Sequence, residues 1–481
     1  MTSPPPPATS LSGPRIGICR GISYGLLDDP ECFMPAVRSL GVGLARINLF
    51  WSQIEPEPGR FTWDVVDAFL DQLEDGDEAW VTVCSSSPWA TQHATRFLPS
   101  SPATDIDDYR RFVTELVRRC GGAIRYWQCE NEPCVPLLWE GKVDEYLSQL
   151  IVFSDAVRES APGSLVVLGG AVPAAMFAEE ASGNQRWAED LDRIIGEGRD
   201  HFDLFDLHPY GDPYAIPALI QASRALLAAH GAGKAIVVGE HNGPMPPGFP
   251  ENLPYLTDVL TEHRRVFLGQ SRLADGGLDF DRTTPAMVDL YDCRDQLPPT
   301  LQMFMADCPA DLAAERDRHL QEEIVIRTML LLASGVERVA CFQLAPEARD
   351  TGSRLNIRSL MFDAFALMDY EGGHIGRRRP QADTYALMAA HLADAHTVLH
   401  HNPGRPGTYL YEIQRRGRSS TFVGWSRVNE TAHITCPWPF RGRPYGINAL
   451  GENVPIRLQR GVMRMPISST PLLVGEEGGD R

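Results

Sequence analysis

An eight-fold (β/α)8 barrel, a TIM barrel, followed by a C-terminal antiparallel β-sandwich-like region is the fold this sequence predicts, and three observations predict it. Short β-branched runs alternate with amphipathic helical stretches from residue 15 to about 395. Two of these runs end in an acid followed by turn residues: Trp127-Gln-Cys-Glu-Asn-Glu132-Pro133 and Lys234-Ala-Ile-Val-Val-Gly-Glu240-His-Asn-Gly-Pro244. Pro133 cannot donate to a ladder, so the first run stops there and leaves Glu132 at a strand mouth. Three βα units of roughly 35 residues fit between the acids, which puts them on strands four and seven of a barrel. From about His396 the pattern changes to short alternating runs separated by Gly, Arg and Asn, as antiparallel β requires.

Taken in order, Arg15 to Ser23 reads as strand one, and Asp28 to Gly41, with Phe33, Val37 and Leu40 at helical spacing, as the first helix. Strand two is Leu44 to Phe50, and the helix after it starts near Trp63 and buries Val65, Val66, Phe69 and Leu73. Strand three is Ala79 to Cys84. The next helix is the clearest, with Tyr109, Phe112, Val113, Leu116, Val117 and Cys120 on one stripe and Arg110, Arg111, Arg118 and Arg119 mostly outside it. Beyond strand four come a helix over Val143 to Ser160, strand five at Leu165 to Gly169, a helix near Gln185 to Ile195, and strand six at Phe202 to Tyr210. A helix over Ile216 to His230 leads into strand seven. Residues 244–310 far exceed the ~2–6 residues usual for such a connection, so an insertion is expected to wall the face where the strands end. Asp311 to Gly335 reads as a helix, Arg338 to Gln343 as strand eight, 346–379 as a second excursion and Pro380 to Ala395 as the last helix. The division is then a Pro/Ser tail over 1–14, a barrel over 15–395 and an accessory β domain over 396–481.

Composition narrows the functional classes. A net charge of −19 argues against nucleic acid and against an anionic membrane surface, both of which need basic patches. The first fourteen residues have neither a basic start nor an apolar core, so they do not read as a secretory signal. No stretch reaches the ~18 apolar residues that a membrane helix needs. Ten cysteines show no metal-ligand spacing, and thiols on apolar runs suit a reducing cytoplasm; Cys129 with Cys134 and Cys293 with Cys308 are the pairs left open as disulfides. No nucleotide-binding glycine loop is present, and no cofactor or metal is expected.

Two carboxylates at strand mouths suit cleavage of a glycosidic bond, which needs one acid to protonate the leaving oxygen and one carboxylate to meet the oxocarbenium-like carbon. The Asn131-Glu132-Pro133 and Glu240 strand ends resemble those of clan A glycoside hydrolases, and within the clan most resemble family 39, the β-xylosidases and α-L-iduronidases, with families 5 and 42 near. The loop Trp51 to Trp63, the strand end Ser85-Ser-Ser-Pro-Trp-Ala90 and His208-Pro-Tyr210 are further family-like matches, and Ile467 to Val474 resembles the closing strand of an accessory sandwich. The resemblance implies a barrel that retains anomeric configuration on an oligosaccharide or glycoside substrate. It implies Glu132 as general acid and then base, Glu240 as nucleophile, Asn131 on the sugar 2-hydroxyl, Arg46 orienting Glu240, and His208 and Tyr210 lining the −1 subsite. Trp51, Trp89 and Trp139 are the candidate stacking platforms. Two departures stand out: Phe342-Gln343-Leu344 where the clan usually has Trp, and His-Asn-Gly after Glu240. A catalytically silent glycan-binding barrel is the alternative; a metal-dependent hydrolase would need more strand-end His and Asp than His208 and His241.

Overall fold

The computed structural model describes residues 11–26, 29–173, 185–267, 283–347, 355–428 and 432–478. Most of the expected tail, the expected start of the first helix at Asp28 and the middle of the 244–310 insertion lie outside them. Eight parallel strands close into a barrel in chain order: β1 (Arg15–Cys19), β2 (Leu44–Phe50), β3 (Glu78–Cys84), β4 (Ile124–Cys129), β5 (Leu165–Ala171), β6 (Leu204–Leu207), β7 (Ala235–His241) and β8 (Arg338–Phe342).

Alternation along a strand decides which side chains enter the barrel. Leu44, Trp80, Tyr126, Val167, Leu204 and Val237, from β2 to β7, cluster with Leu11 as an apolar floor. Two residues further along their strands, Arg46, Gln128 and Asp206 are buried polar groups, so the barrel changes character one layer up. On the outside, the stripe predicted for the helix Ile106–Cys120 is buried as a whole, and Asp105 caps it by accepting from the Asp107 N–H at 2.9 Å.

The insertion after β7 contains helices Leu253–Phe267 and Pro285–Asp292 before the long helix Ala310–Ala333. Its Leu256, Met287, Leu301 and Met303 pack in one cluster with Phe342 and Phe365, so it does sit at the β8 mouth. The excursion after β8 holds a hairpin, β9 (Met368–Glu371) and β10 (His374–Arg378). The C-terminal region is two antiparallel sheets: β11 (Ala395–His401), β12 (Thr408–Arg415), β13 (Thr421–Ser426), β19 (Leu472–Glu476), β15 (Pro444–Asn448) and β16 (Asn453–Val454) in that spatial order, and β14 (Ala432–Pro437), β18 (Val462–Ile467) and β17 (Arg457–Gln459). The stretch Ile467 to Val474, expected as one closing strand, is divided: Ile467 ends β18, and β19 starts at Leu472 as an inner strand. Pro471 between them cannot donate to a ladder. Tyr411, Ile413, Val423, Trp425 and Leu473 share a single hydrophobic cluster with the barrel helices. All ten cysteines are free thiols, so neither open pair is bridged.

Candidate active site

β4 ends at Cys129, and the next residues leave the strand through left-handed backbone, with φ of 63° at Glu130 and 45° at Glu132. Such conformations are disfavoured for residues with a Cβ and persist only where surrounding contacts hold them. They break the strand's alternation. Glu130 turns toward β3 and accepts the Ser85 N–H at 2.9 Å, whereas Glu132 faces β6. Burial pushes the Glu130 carboxyl up to about 7.

Arg46 organises the layer above the floor. Its Nη1 donates to Glu240 Oε1 at 2.6 Å, its Nη2 to Asn131 Oδ1 at 2.7 Å and its Nε to Gln128 Oε1 at 3.1 Å. Burial alone would weaken the charge, but Glu240, Cys19 and Asp206 hold the guanidinium's pKa above its usual value. Gln128 also accepts from Thr82 at 2.7 Å and donates to Asp206 Oδ2 at 2.7 Å. Neither Gln128 nor Asp206 was singled out in the sequence, though Leu204, Asp206 and His208 alternate on one strand face.

His208 lies between carboxylates. Its Nδ1 is 2.6 Å from Glu132 Oε1 and 3.9 Å from Glu240 Oε2, and its Nε2 is 2.9 Å from Asp206 Oδ2. Burial would lower its pKa, but Asp206 and Glu240, with the bond to Glu132, raise it to about 10. The ring has both nitrogens engaged by carboxylates and no exposed surface, an environment that favours the imidazolium. It buttresses the carboxylates, a different task from the expected lining of a subsite. Glu132 is pushed above the usual carboxylate range, burial outweighing the opposing pull of His208. Tyr210 Oη donates to Glu240 Oε2 at 3.0 Å. Gly170 on β5 leaves room for the imidazole, since a Cβ there would run into it.

The three tryptophans fare differently. Trp51 is fully buried, stacked on Phe112 with centroids 4.8 Å apart, and Trp139 is buried edge-on against Tyr146. Both are core residues and present no open face for a sugar. Trp89 is half-buried, its indole N–H on the Glu55 carbonyl at 2.9 Å. At the β8 mouth, Phe342 packs edge-on against Phe362, Phe362 against Phe365, and Phe365 in turn stacks on Tyr210. These rings stand where the resemblance expects Trp.

No protein-family model matches the chain, and no curated protein matches it. Solved structures do. A family 39 glycoside hydrolase from the gut symbiont Bacteroides cellulosilyticus WH2 aligns with a TM-score of 0.62 at 13% identity, over 97% of this chain and 81% of its own. A glucosidase from Croceicoccus marinus aligns at 0.58 and 13% identity over 98% and 96%, and the catalytic domain of a family 30 xylanase C from Talaromyces cellulolyticus at 0.53 and 8% over 98% and 98%. The chain thus has the barrel-plus-β-domain fold on which these glycoside hydrolases are built.

Proposed function

We propose that this chain is a retaining glycoside hydrolase that cleaves β-linked glycosides through a covalent glycosyl intermediate on Glu240. The observation that carries the reading is the spacing of the carboxylates. Glu132, His208 and Glu240 each bring a polar atom within 4.8 Å of the others, which suits retention, where the carboxyls lie about 5–5.5 Å apart, better than inversion at roughly 6.5–9.5 Å. Glu240, held by Arg46 and Tyr210, presents a fixed carboxylate to the anomeric carbon. Glu132, whose carboxyl pKa is raised by burial, gives its proton to the leaving oxygen. Once Glu240 is esterified its negative charge is gone, and Glu132 can then take a proton from the attacking water. Asn131, its Oδ1 held by Arg46, keeps Nδ2 to donate to the sugar 2-hydroxyl.

The similar structures are described as a glucosidase and a xylanase, so the substrate panel spans β-glucosides, β-xylosides and β-linked oligosaccharides. The test follows product anomers by NMR for the wild type and for Glu240→Ala with and without azide. We expect retained configuration, loss of turnover in the variant and rescue as an α-glycosyl azide. Sugar binding without any turnover would favour the silent glycan-binding barrel instead. Ten unpaired thiols support a reducing compartment, and we place the chain in the cytoplasm on that ground.

A further inference from the structure

Asp206 has no direct path to a substrate. It is fully buried one layer beneath the two carboxylates, and its side chain receives three donors: the Gly239 N–H at 2.6 Å on Oδ1, and Gln128 Nε2 at 2.7 Å with His208 Nε2 at 2.9 Å on Oδ2. Gly239 is the only residue type that fits there, since a Cβ would lie 2.6 Å from Asp206 Oδ2. An aspartate so fixed holds a proton on the near nitrogen of His208. The far nitrogen then faces Glu132 Oε1, and what it can do depends on whether it also carries a proton.

We propose that Asp206 is a positioning residue of glycosidic cleavage: acting through His208, it determines which oxygen of Glu132 carries the transferable proton. This rests on the reading of Glu132 as the general acid. The groups that face His208 are Asp206 on its own strand, Glu132 beyond β4, Glu240 on β7 and, through Glu240, Arg46 on β2 and Tyr210. With Asp206 and Glu240 ionised, His208 keeps both protons and donates Nδ1–H to Glu132 Oε1. Oε1 is then an acceptor, so the acid proton sits on Oε2, which has no hydrogen-bond partner among the described residues. With Asn at 206 the imidazole becomes neutral, retains its proton on Nε2 toward the Asn oxygen and turns a bare Nδ1 to Glu132. The acid proton is then drawn to Oε1 and away from the leaving group.

Two measurements test this. In the first, the full chain carrying 15N-labelled histidine is examined by long-range 1H–15N NMR, with the His208 signal assigned by its loss in His208→Gln. Both nitrogens should be protonated at pH 7 in the wild type, and the ring should titrate below pH 7 in Asp206→Asn. A neutral His208 in the wild type would overturn the proposal, with or without any activity, so a failure of the glycosidase reading is told apart from a failure of this one. The second compares glycosides with poor and good leaving groups. Asp206→Asn should lower kcat/KM on an alkyl or oligosaccharide aglycone by roughly 10²–10⁴, the usual contribution of a positioned acid, and move the basic limb of that profile to lower pH. On a dinitrophenyl glycoside, which needs no proton, it should lose less than about tenfold. Equal losses on both substrates with an unmoved limb would reduce Asp206 to a structural role. Should Asp206→Asn fail to fold, Gln128→Met, which removes one donor from Oδ2, replaces it in the leaving-group comparison, and the wild-type spectrum stands by itself.

Discussion

His208 and His241 are both buried, and their surroundings push them in opposite directions. His208 is held charged by carboxylates, so its contribution to stability is present below its unfolded pKa near 6.5 and is lost as pH rises through about 10. His241, one residue beyond Glu240, has neither ring nitrogen hydrogen-bonded among the described residues, and burial with the Arg327 charge nearby lowers its pKa to about 3. The sign is therefore reversed. The native state holds His241 neutral while the unfolded chain takes up a proton below about pH 6.5, so stability falls as pH drops from there toward about 3. At pH 5 the difference is ~2 kcal/mol, from about 1.4 kcal/mol per pH unit. His241→Leu keeps similar volume and removes two unpaired polar atoms. Urea unfolding should find the variant at least as stable as wild type at pH 8, with its advantage widening by ~2 kcal/mol at pH 5; an advantage independent of pH would contradict this account.

The loop after β6, which carries Tyr210, is tied to a single guanidinium on the helix Ala310–Ala333. Arg327 donates from Nη1 to the Pro209 carbonyl at 3.1 Å and from Nη2 to the Gly211 carbonyl, while its Nε pairs with Glu323 at 2.7 Å. Gly243 closes the other side, because a Cβ there would run into both Arg327 and Glu323. The helix thus fixes the geometry of the site without touching it. Arg327→Met should cost about 1–3 kcal/mol, since it leaves the half-buried Glu323 carboxylate without its partner. The double variant Arg327→Met with Glu323→Leu removes both charges and should recover most of that stability. Activity should not recover with it: the loop that carries Tyr210 remains untied, and we expect kcat reduced roughly tenfold or more in both variants. Thermal melts and steady-state rates on the pair separate the two effects; recovery of activity in the double variant would show that the clamp serves stability alone.

At the scale of the whole molecule, the features set by local periodicity were legible in the sequence. The eight strands, the stripe of the helix Ile106–Cys120 and the acids at the ends of β4 and β7 are of this kind, because a strand end marked by Pro133 or Gly243 is a local event. Asp206 was within reach through its alternation with Leu204 and His208. Other features depend on contacts across long separations. The left-handed backbone at Glu130 and Glu132, the burial of Trp51 and Trp139 and the Arg327 clamp follow from packing that no window of sequence contains. The same holds for the C-terminal sheets, where β19 inserts between β13 and β15 although β14 to β18 come between β13 and β19 in the chain. That insertion also completes the face that covers the barrel helices. Trp425 on β13 is fully buried there, stacked on Tyr409 at 5.1 Å, with its indole N–H on Tyr214 Oη at 3.0 Å across the junction. Because barrel and sheet share one hydrophobic cluster, neither can lose its partner without exposing core. Calorimetry of the wild type should therefore give one unfolding transition, and Trp425→Ala, at about 3–5 kcal/mol, should move that transition to lower temperature as a unit, with activity lost over the same range. Two resolved transitions, with the variant shifting only one and activity following the other, would make the β region an independent module appended to a self-sufficient barrel.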